Sequence, residues 1–224
     1  MSINIRNLSS DQVWDFENAF YWFSHPSRVS KLLAHYELYK KIVHLPGDII
    51  ELGVYKSASL VRFSTFRQIL ENENSRKIIG FDAFGEFPRE NISLASDQDF
   101  IEAFEKTGGH GLELEEVNSI FKFKNINNFE LVAGNVLHTL DDFLDRSPAT
   151  RIALLHLDMD VKEPTQYALQ RLYDRVVPEG LIVIDDYGSV AGATEAIDEF
   201  AYTQKLKIQK SPYYKIPAYI QKNI

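Results

Sequence analysis

Cysteine is absent from the 224 residues, so disulfides, thiolate metal sites and cysteine nucleophiles are excluded together. Positive charge is scarce: 24 lysines and arginines stand against 32 acids, a net charge of −8. That balance argues against nucleic acid as a partner, because a phosphate-backbone binder needs a positive field to displace counterions. No apolar run approaches the roughly 18 residues of a membrane span, and residues 1–11 are polar, without the apolar core of a targeting segment. No membrane association is expected, and a cytoplasmic location is the default. Low-complexity tracts are missing as well. What remains is an ordinary folded composition, 45% hydrophobic, 25% charged and 12% aromatic, at a length that suits one domain over 1–224.

The chain then reads as an alternation. Residues 14–23 are rich in aromatics (Trp14, Phe16, Phe20, Tyr21, Trp22, Phe23) and suggest an apolar helix or a flap over a pocket, with packing onto the core the favoured expectation. From Ser27, apolar residues recur at helical spacing until Pro46-Gly47, and 1–45 forms an N-terminal helical and aromatic cap. Five short apolar runs follow at 48–54 (DIIELGV), 77–82 (KIIGFD), 129–133 (FELVA), 151–157 (RIALLHL) and 180–184 (GLIVI), with helices expected at 60–70 and 165–177. Continuous apolar strands separated by helices indicate a parallel sheet covered on both faces, hence an α/β, doubly wound architecture. Two strand candidates at 205–210 and 214–221 would add an antiparallel C-terminal edge. The polar stretch 86–128, with helices expected at 97–106 and 112–121, is a lid-like insertion or plain surface elaboration.

In such a sheet, ligands bind beyond the carboxyl ends of the strands, where strand order reverses. The first strand ends Glu51-Leu52-Gly53-Val54-Tyr55-Lys56-Ser57, an acid two residues before a glycine that permits close backbone approach. The second ends in Asp82, a carboxylate suited to both hydroxyls of a ribose. A dinucleotide would want the later glycines of GxGxxG, which are missing, so adenosine without a pyrophosphate fits better. A plain strand-to-helix turn at Gly53 and a helix-capping role for Asp82 stay open.

The fourth and fifth strands run into His156-Leu157-Asp158-Met159-Asp160 and Asp185-Asp186-Tyr187-Gly188. Adjacent strands would gather four aspartates at one sheet edge, where mutual repulsion calls for a cation. Hard oxygen ligands favour Mg²⁺. Such an ion would orient two vicinal hydroxyls of a substrate, with a neighbouring group taking the proton. Asp160 is the first choice for that base, since alternation would leave Asp158 on the metal. His156 is the fallback, although an imidazole on an apolar strand is more often structural.

Taken jointly, the segments 33–41 (LAHYELYKK), 45–63 (LPGDIIELGVYKSASLVRF), 78–88 (IIGFDAFGEFP), 154–164 (LLHLDMDVKEP), 180–188 (GLIVIDDYG) and 192–200 (GATEAIDEF) resemble the TylF/MycF family, the macrocin O-methyltransferases. The resemblance implies a class I methyltransferase, Rossmann-like fold, S-adenosylmethionine as methyl donor, Mg²⁺, and O-methylation of deoxysugars, nucleotide sugars or glycosylated natural products. Carried over by position, it puts the metal on Asp158, Asp185 and Asp186 and a base at Asp160. It puts the cofactor's methionine end near Glu51, Gly53, Val54, Tyr55, Lys56 and Ser57, its ribose on Asp82 and its adenine near Asn135. Relatives often carry glycine where this chain has Ser57.

Two other classes compete. The DxD of 158–160 and the later acidic pair resemble a metal-dependent phosphatase or glycosyltransferase, but fewer than 30 residues separate the two motifs, too few for a dehalogenase-type phosphatase core. A binder of S-adenosylmethionine without catalysis is the third. Acceptor recognition is expected in Trp22, Phe23, His25 and the 86–128 insertion, where Arg89, Lys122 and Lys124 would meet phosphates or stay solvated. An aromatic N-terminus would also suit burial against a second copy in a homodimer.

Overall fold

A computed structural model describes residues 2–223. A two-stranded hairpin, β1 (Asn4–Ile5) and β2 (Leu8–Ser9), precedes helices α1 (Val13–Phe23) and α2 (Pro26–Ile42). The sheet begins with β3 (Asp48–Leu52), followed by α3 (Ala58–Leu70) and β4 (Ile78–Asp82). Helices α4 (Ala95–Gly108) and α5 (Leu114–Phe123) lie between β4 and β5 (Phe129–Ala133). Then come α6 (Val136–Arg146), β6 (Ile152–Leu157), α7 (Lys162–Leu172), β7 (Val176–Ile184), α8 (Ala191–Gln204), β8 (Ile208–Lys210) and β9 (Ala218–Gln221).

Seven strands form one sheet in the order β5-β4-β3-β6-β7-β9-β8. The first five are parallel; β9 pairs antiparallel with β7 and with β8. The doubly wound, mostly parallel sheet with an antiparallel C-terminal edge is therefore the fold. Because side chains alternate along a strand, each strand feeds two cores. Ile50, Leu52, Leu155, Leu157, Ile182 and Ile184 pack against α6, α7 and α8. Ile49, Leu154, Leu181 and Val183 pack on the opposite face against α2, α3 and α5. Strand order reverses between β3 and β6, which opens a crevice at their carboxyl ends.

Several boundaries differ from expectation. The helix expected at 165–177 ends at Leu172, and Val176-Val177 open β7, where Val176 pairs with Ile152. Two β-branched residues beside a buried strand favour pairing over a further helical turn. The register then shifts before Leu154, and Glu179 takes a left-handed φ of 64°, so the Pro178-Glu179-Gly180 segment enters the strand as a bulge rather than ending it. The terminal strands are shorter than 205–210 and 214–221. Most consequential is α1: it is helical, but no residue of it is buried, and Trp14, Tyr21, Trp22 and Phe23 are each at least two-thirds exposed. The expectation that it packs onto the core is overturned. Its aromatics are distributed around the helix rather than along one stripe, so no single face could dock.

Candidate active site

A cleft of about 810 Å³, counting its open mouth, lies at the carboxyl ends of β3, β4, β5 and β6. Gly53, Asp82, Gly134 and Asp158, the residues at or just past those four ends, all line it. The insertion forms the facing wall through Phe87, Pro88, Phe104, Gly109, His110 and Gly111.

Gly53 is required by the strands themselves. Its φ is 91°, and a Cβ there would lie 1.9 Å from the Asp158 carbonyl oxygen. The tight approach holds the ends of β3 and β6 together, while the same glycine faces the cleft. Tyr55 lines the cleft too, with its hydroxyl donating to the Gly108 carbonyl at 2.7 Å. Lys56 donates to that carbonyl at 2.6 Å, so its ammonium anchors the turn to α4. Val54 points into the core. Ser57 caps α3 in a left-handed conformation (φ 62°), the backbone that favours glycine. Its Oγ is buried without a partner.

Asp82 lines the cleft, but its carboxylate is already engaged. Oδ2 accepts from the backbone N–H of Val54 (2.7 Å) and Tyr55 (2.9 Å), and Oδ1 from that of Phe84 (2.7 Å). Three of about four acceptor positions are occupied, which leaves room for one ribose hydroxyl rather than both. Asn135 lines the cleft while its Oδ1 caps α6 by accepting from Leu137 N–H at 3.0 Å.

Glu51 is not in the cleft wall. It is fully buried under α3, accepting from Ser59 Oγ at 2.8 Å and facing His156 Nδ1 at 3.2 Å. The parallel register sets Glu51 beside His156, and parity sends residues 51, 156 and 185 to the same side of the sheet. His156 Nε2 lies 3.7 Å from Asp185 Oδ1. Burial alone would depress the His156 pKa, but Asp185 and Glu51 outweigh it and raise it to about 10. His156 does not line the cleft, and its neighbours on both sides are carboxylates, the surroundings of a structural imidazole.

Past the strand ends, carboxylate oxygens of Asp158, Asp185 and Asp186 lie within 4.8 Å of one another. Burial and the charges of Asp185 and Asp186 push the Asp158 pKa well above the carboxylate range. Burial, with Asp160 and Asp185, does the same to Asp186. Asp185 is the exception: burial would raise it, but His156 and Lys31 hold it below the usual range. Three converging hard oxygens, two of them destabilised as anions, fit a divalent cation. Asp160 faces the cleft from a left-handed backbone (φ 65°), with its N–H donating to Asp186 Oδ2 at 3.0 Å; burial and Asp158 raise its pKa to about 8.

With the geometry in hand, residues 28–217 match the family described as Macrocin-O-methyltransferase (TylF). The chain belongs to that family. Among curated relatives it is 26% identical over 161 residues to the 8-demethyl-8-(2,3-dimethoxy-alpha-L-rhamnosyl)-tetracenomycin-C 4'-O-methyltransferase of Streptomyces olivaceus, covering 70% of this chain and 58% of that one. It is 25% identical over 162 residues to the mycinamicin III 3''-O-methyltransferase of Micromonospora griseorubida, covering 70% and 61%. The matched stretch thus spans less than two thirds of either relative. Among solved structures, the O-methyltransferase NovP superposes with a TM-score of 0.74 at 19% identity, over 88% of this chain and 81% of that one. CalS11, a calicheamicin methyltransferase, gives 0.71 at 23%, over 97% and 87%. These likenesses establish the class I methyltransferase fold.

For this family member, the residues that sequence patterning overlooked come from α2 and α3. Lys31 Nζ donates to Asp185 Oδ2 at 2.6 Å. Burial works against its charge, but Asp185 and Asp158 outweigh it and raise its pKa. His35, fully buried, accepts at Nδ1 from Arg62 at 3.0 Å and stacks on Phe63; burial, then His156 and Arg62, hold it neutral. Lys31 and His35, one helical turn apart among Leu32, Ala34 and Leu38, were the legible signal: polar residues on a face that should be apolar. Of the residues offered for acceptor recognition, Arg89 pairs with Glu105 at 2.8 Å. Lys122 and Lys124 are not in the cleft, and Trp22 and Phe23 stand exposed on α1.

Proposed function

We propose that this chain transfers the methyl group of S-adenosylmethionine to a hydroxyl of a sugar-type acceptor. The observation that carries the reading is that Asp158 belongs to two structures at once: the cleft past β3 to β6, and the three-carboxylate group past β6 and β7. A donor in the cleft and an acceptor at the carboxylates would meet there. Relatives named for methylating rhamnosyl and mycinamicin compounds support the sugar.

Asp158, Asp185 and Asp186 would hold Mg²⁺, which when bound supplies Lewis acidity to orient an acceptor hydroxyl and lower its pKa. Gly53, Tyr55 and Asp82 would seat the donor, with Asp82 taking one ribose hydroxyl and Asn135 beside the adenine. Asp160, facing the cleft, accepts the hydroxyl proton through its carboxylate as the oxygen attacks the methyl carbon in line with the departing sulfur. The insertion wall keeps water from that line.

Labelled-methyl incorporation across nucleotide-linked deoxysugars, glycosylated polyketides and catechols tests the reading. Transfer to the first two classes, abolished by chelator, is expected. Donor affinity without transfer to any hydroxyl would favour a binding protein instead, and inorganic phosphate release from a sugar phosphate would favour the phosphatase.

A further inference from the structure

Asp185 offers two oxygens to two cations. Oδ1 is buried on the His156 side, 3.7 Å from Nε2, whereas Oδ2 carries the Lys31 ammonium at 2.6 Å, in a pair whose side chains are only 17% and 11% exposed. A metal held with Asp158 and Asp186 would draw on the same Asp185 carboxylate that carries Lys31, and the charges of both Asp185 and Asp158 act on that ammonium. Lys31 therefore already holds a carboxylate that the metal would need.

We infer that Lys31 is a built-in competitor for the divalent cation, holding Asp185 Oδ2 while the metal is absent and leaving it when the metal binds. This rests on the reading that the three aspartates form a metal site. Two cations on one carboxylate would sit within roughly 6 Å of each other, where repulsion in a partly buried site is strong. The lysine is the partner able to yield. It rides on a flexible four-carbon stem, and the buried side of α2 (Ala34, Leu38, Tyr39, Ile42) stays anchored while the stem swings. Until then the ammonium offsets part of the repulsion among the carboxylates, so the site is formed before metal arrives. Lys31 is thus a positioning residue that sets metal affinity.

The test reads metal binding, not turnover. Titration calorimetry with MgCl₂ should show Lys31→Met binding about tenfold tighter than the wild type, as expected when a partly buried ion pair no longer competes. In the wild type, acetylation of Lys31 by an amine-reactive ester, read by mass spectrometry, should be slow in chelator and several-fold faster with saturating Mg²⁺. Lys40, paired at 2.8 Å with Glu37, should not respond. Unchanged or weaker affinity in Lys31→Met, or Lys31 acetylation indifferent to Mg²⁺, overturns the competition while leaving the metal site standing. Absence of Mg²⁺ binding in both proteins removes the metal site and the competition with it. The labelling uses the wild-type chain, so it decides the matter even if the variant does not fold.

Discussion

The two ends of one sheet bury charge of opposite sign and satisfy it differently. At the amino ends of the strands, Arg76 pairs with Glu71 at 2.8 Å and donates to the carbonyls of Gly47, Ile42 and Leu45. Arg67 beside it donates to the carbonyls of Arg76, Asn127 and Asn128. Those guanidiniums tie together the loops entering β3, β4 and β5. At the carboxyl ends, aspartates face one another, and buried atoms without a hydrogen bond gather there: Asp185 Oδ1, Ser57 Oγ, Glu51 Oε2 and both His156 nitrogens. One end is arranged for stability; the other holds unfavourable charge that a ligand can relieve.

That contrast can be broken variant by variant. Asp158→Asn is expected to lower methyl transfer by about three orders of magnitude, the scale of losing an electrostatic element of a site, in a labelled-methyl assay. The same variant should melt a few degrees higher than wild type in chelator, because a repelling charge is gone; a lower melting point would mean the edge is not strained. Arg76→Met should cost about 3–5 kcal/mol by urea denaturation, since it strands a buried Glu71, while leaving donor affinity of the folded protein unchanged. Gly47 and Gly53 flank β3 and both have positive φ, 111° and 91°. Alanine at either should cost about 1–3 kcal/mol, but only Gly53→Ala, which displaces the Asp158 backbone, should also weaken donor binding by calorimetry. Smallest is Ser57→Gly, expected to stabilise by up to about 1 kcal/mol through relief of the left-handed backbone. If donor affinity falls at the same time, the orphaned hydroxyl is a ligand contact.

The carboxyl end was the more legible of the two. Asp158, Asp160, Asp185 and Asp186 stand at the ends of apolar runs, and strand adjacency alone brings them together. For Glu51 and His156 the sequence left the direction of the side chain open, since being near a strand end does not say which face it takes; parity on β3 and β6 sends both under α3. Lys31 stood out only as a polar residue on an apolar helix face, and its partner, 154 residues away, was out of reach of local patterning. The amino end was illegible: Arg67 and Arg76 look like ordinary charged residues, and only the carbonyls they reach reveal their role. The exposure of α1 escaped as well, since aromatic content predicts burial and says nothing of what does the burying.

The Asp97 carboxylate, fully buried at the start of α4, accepts from the N–H of Lys162 at 2.9 Å and of Gly192 at 3.2 Å. It therefore closes the first turns of α7 and α8 together, across 65 and 95 residues of chain. One carboxylate in the insertion thus fastens two helices of the sheet's other layer, and Asp97→Ala is expected to loosen α4 from α7 and α8 at once. Hydrogen exchange at the Lys162 and Gly192 amides is expected to quicken together in that variant, reporting how firmly the cleft's outer wall is held.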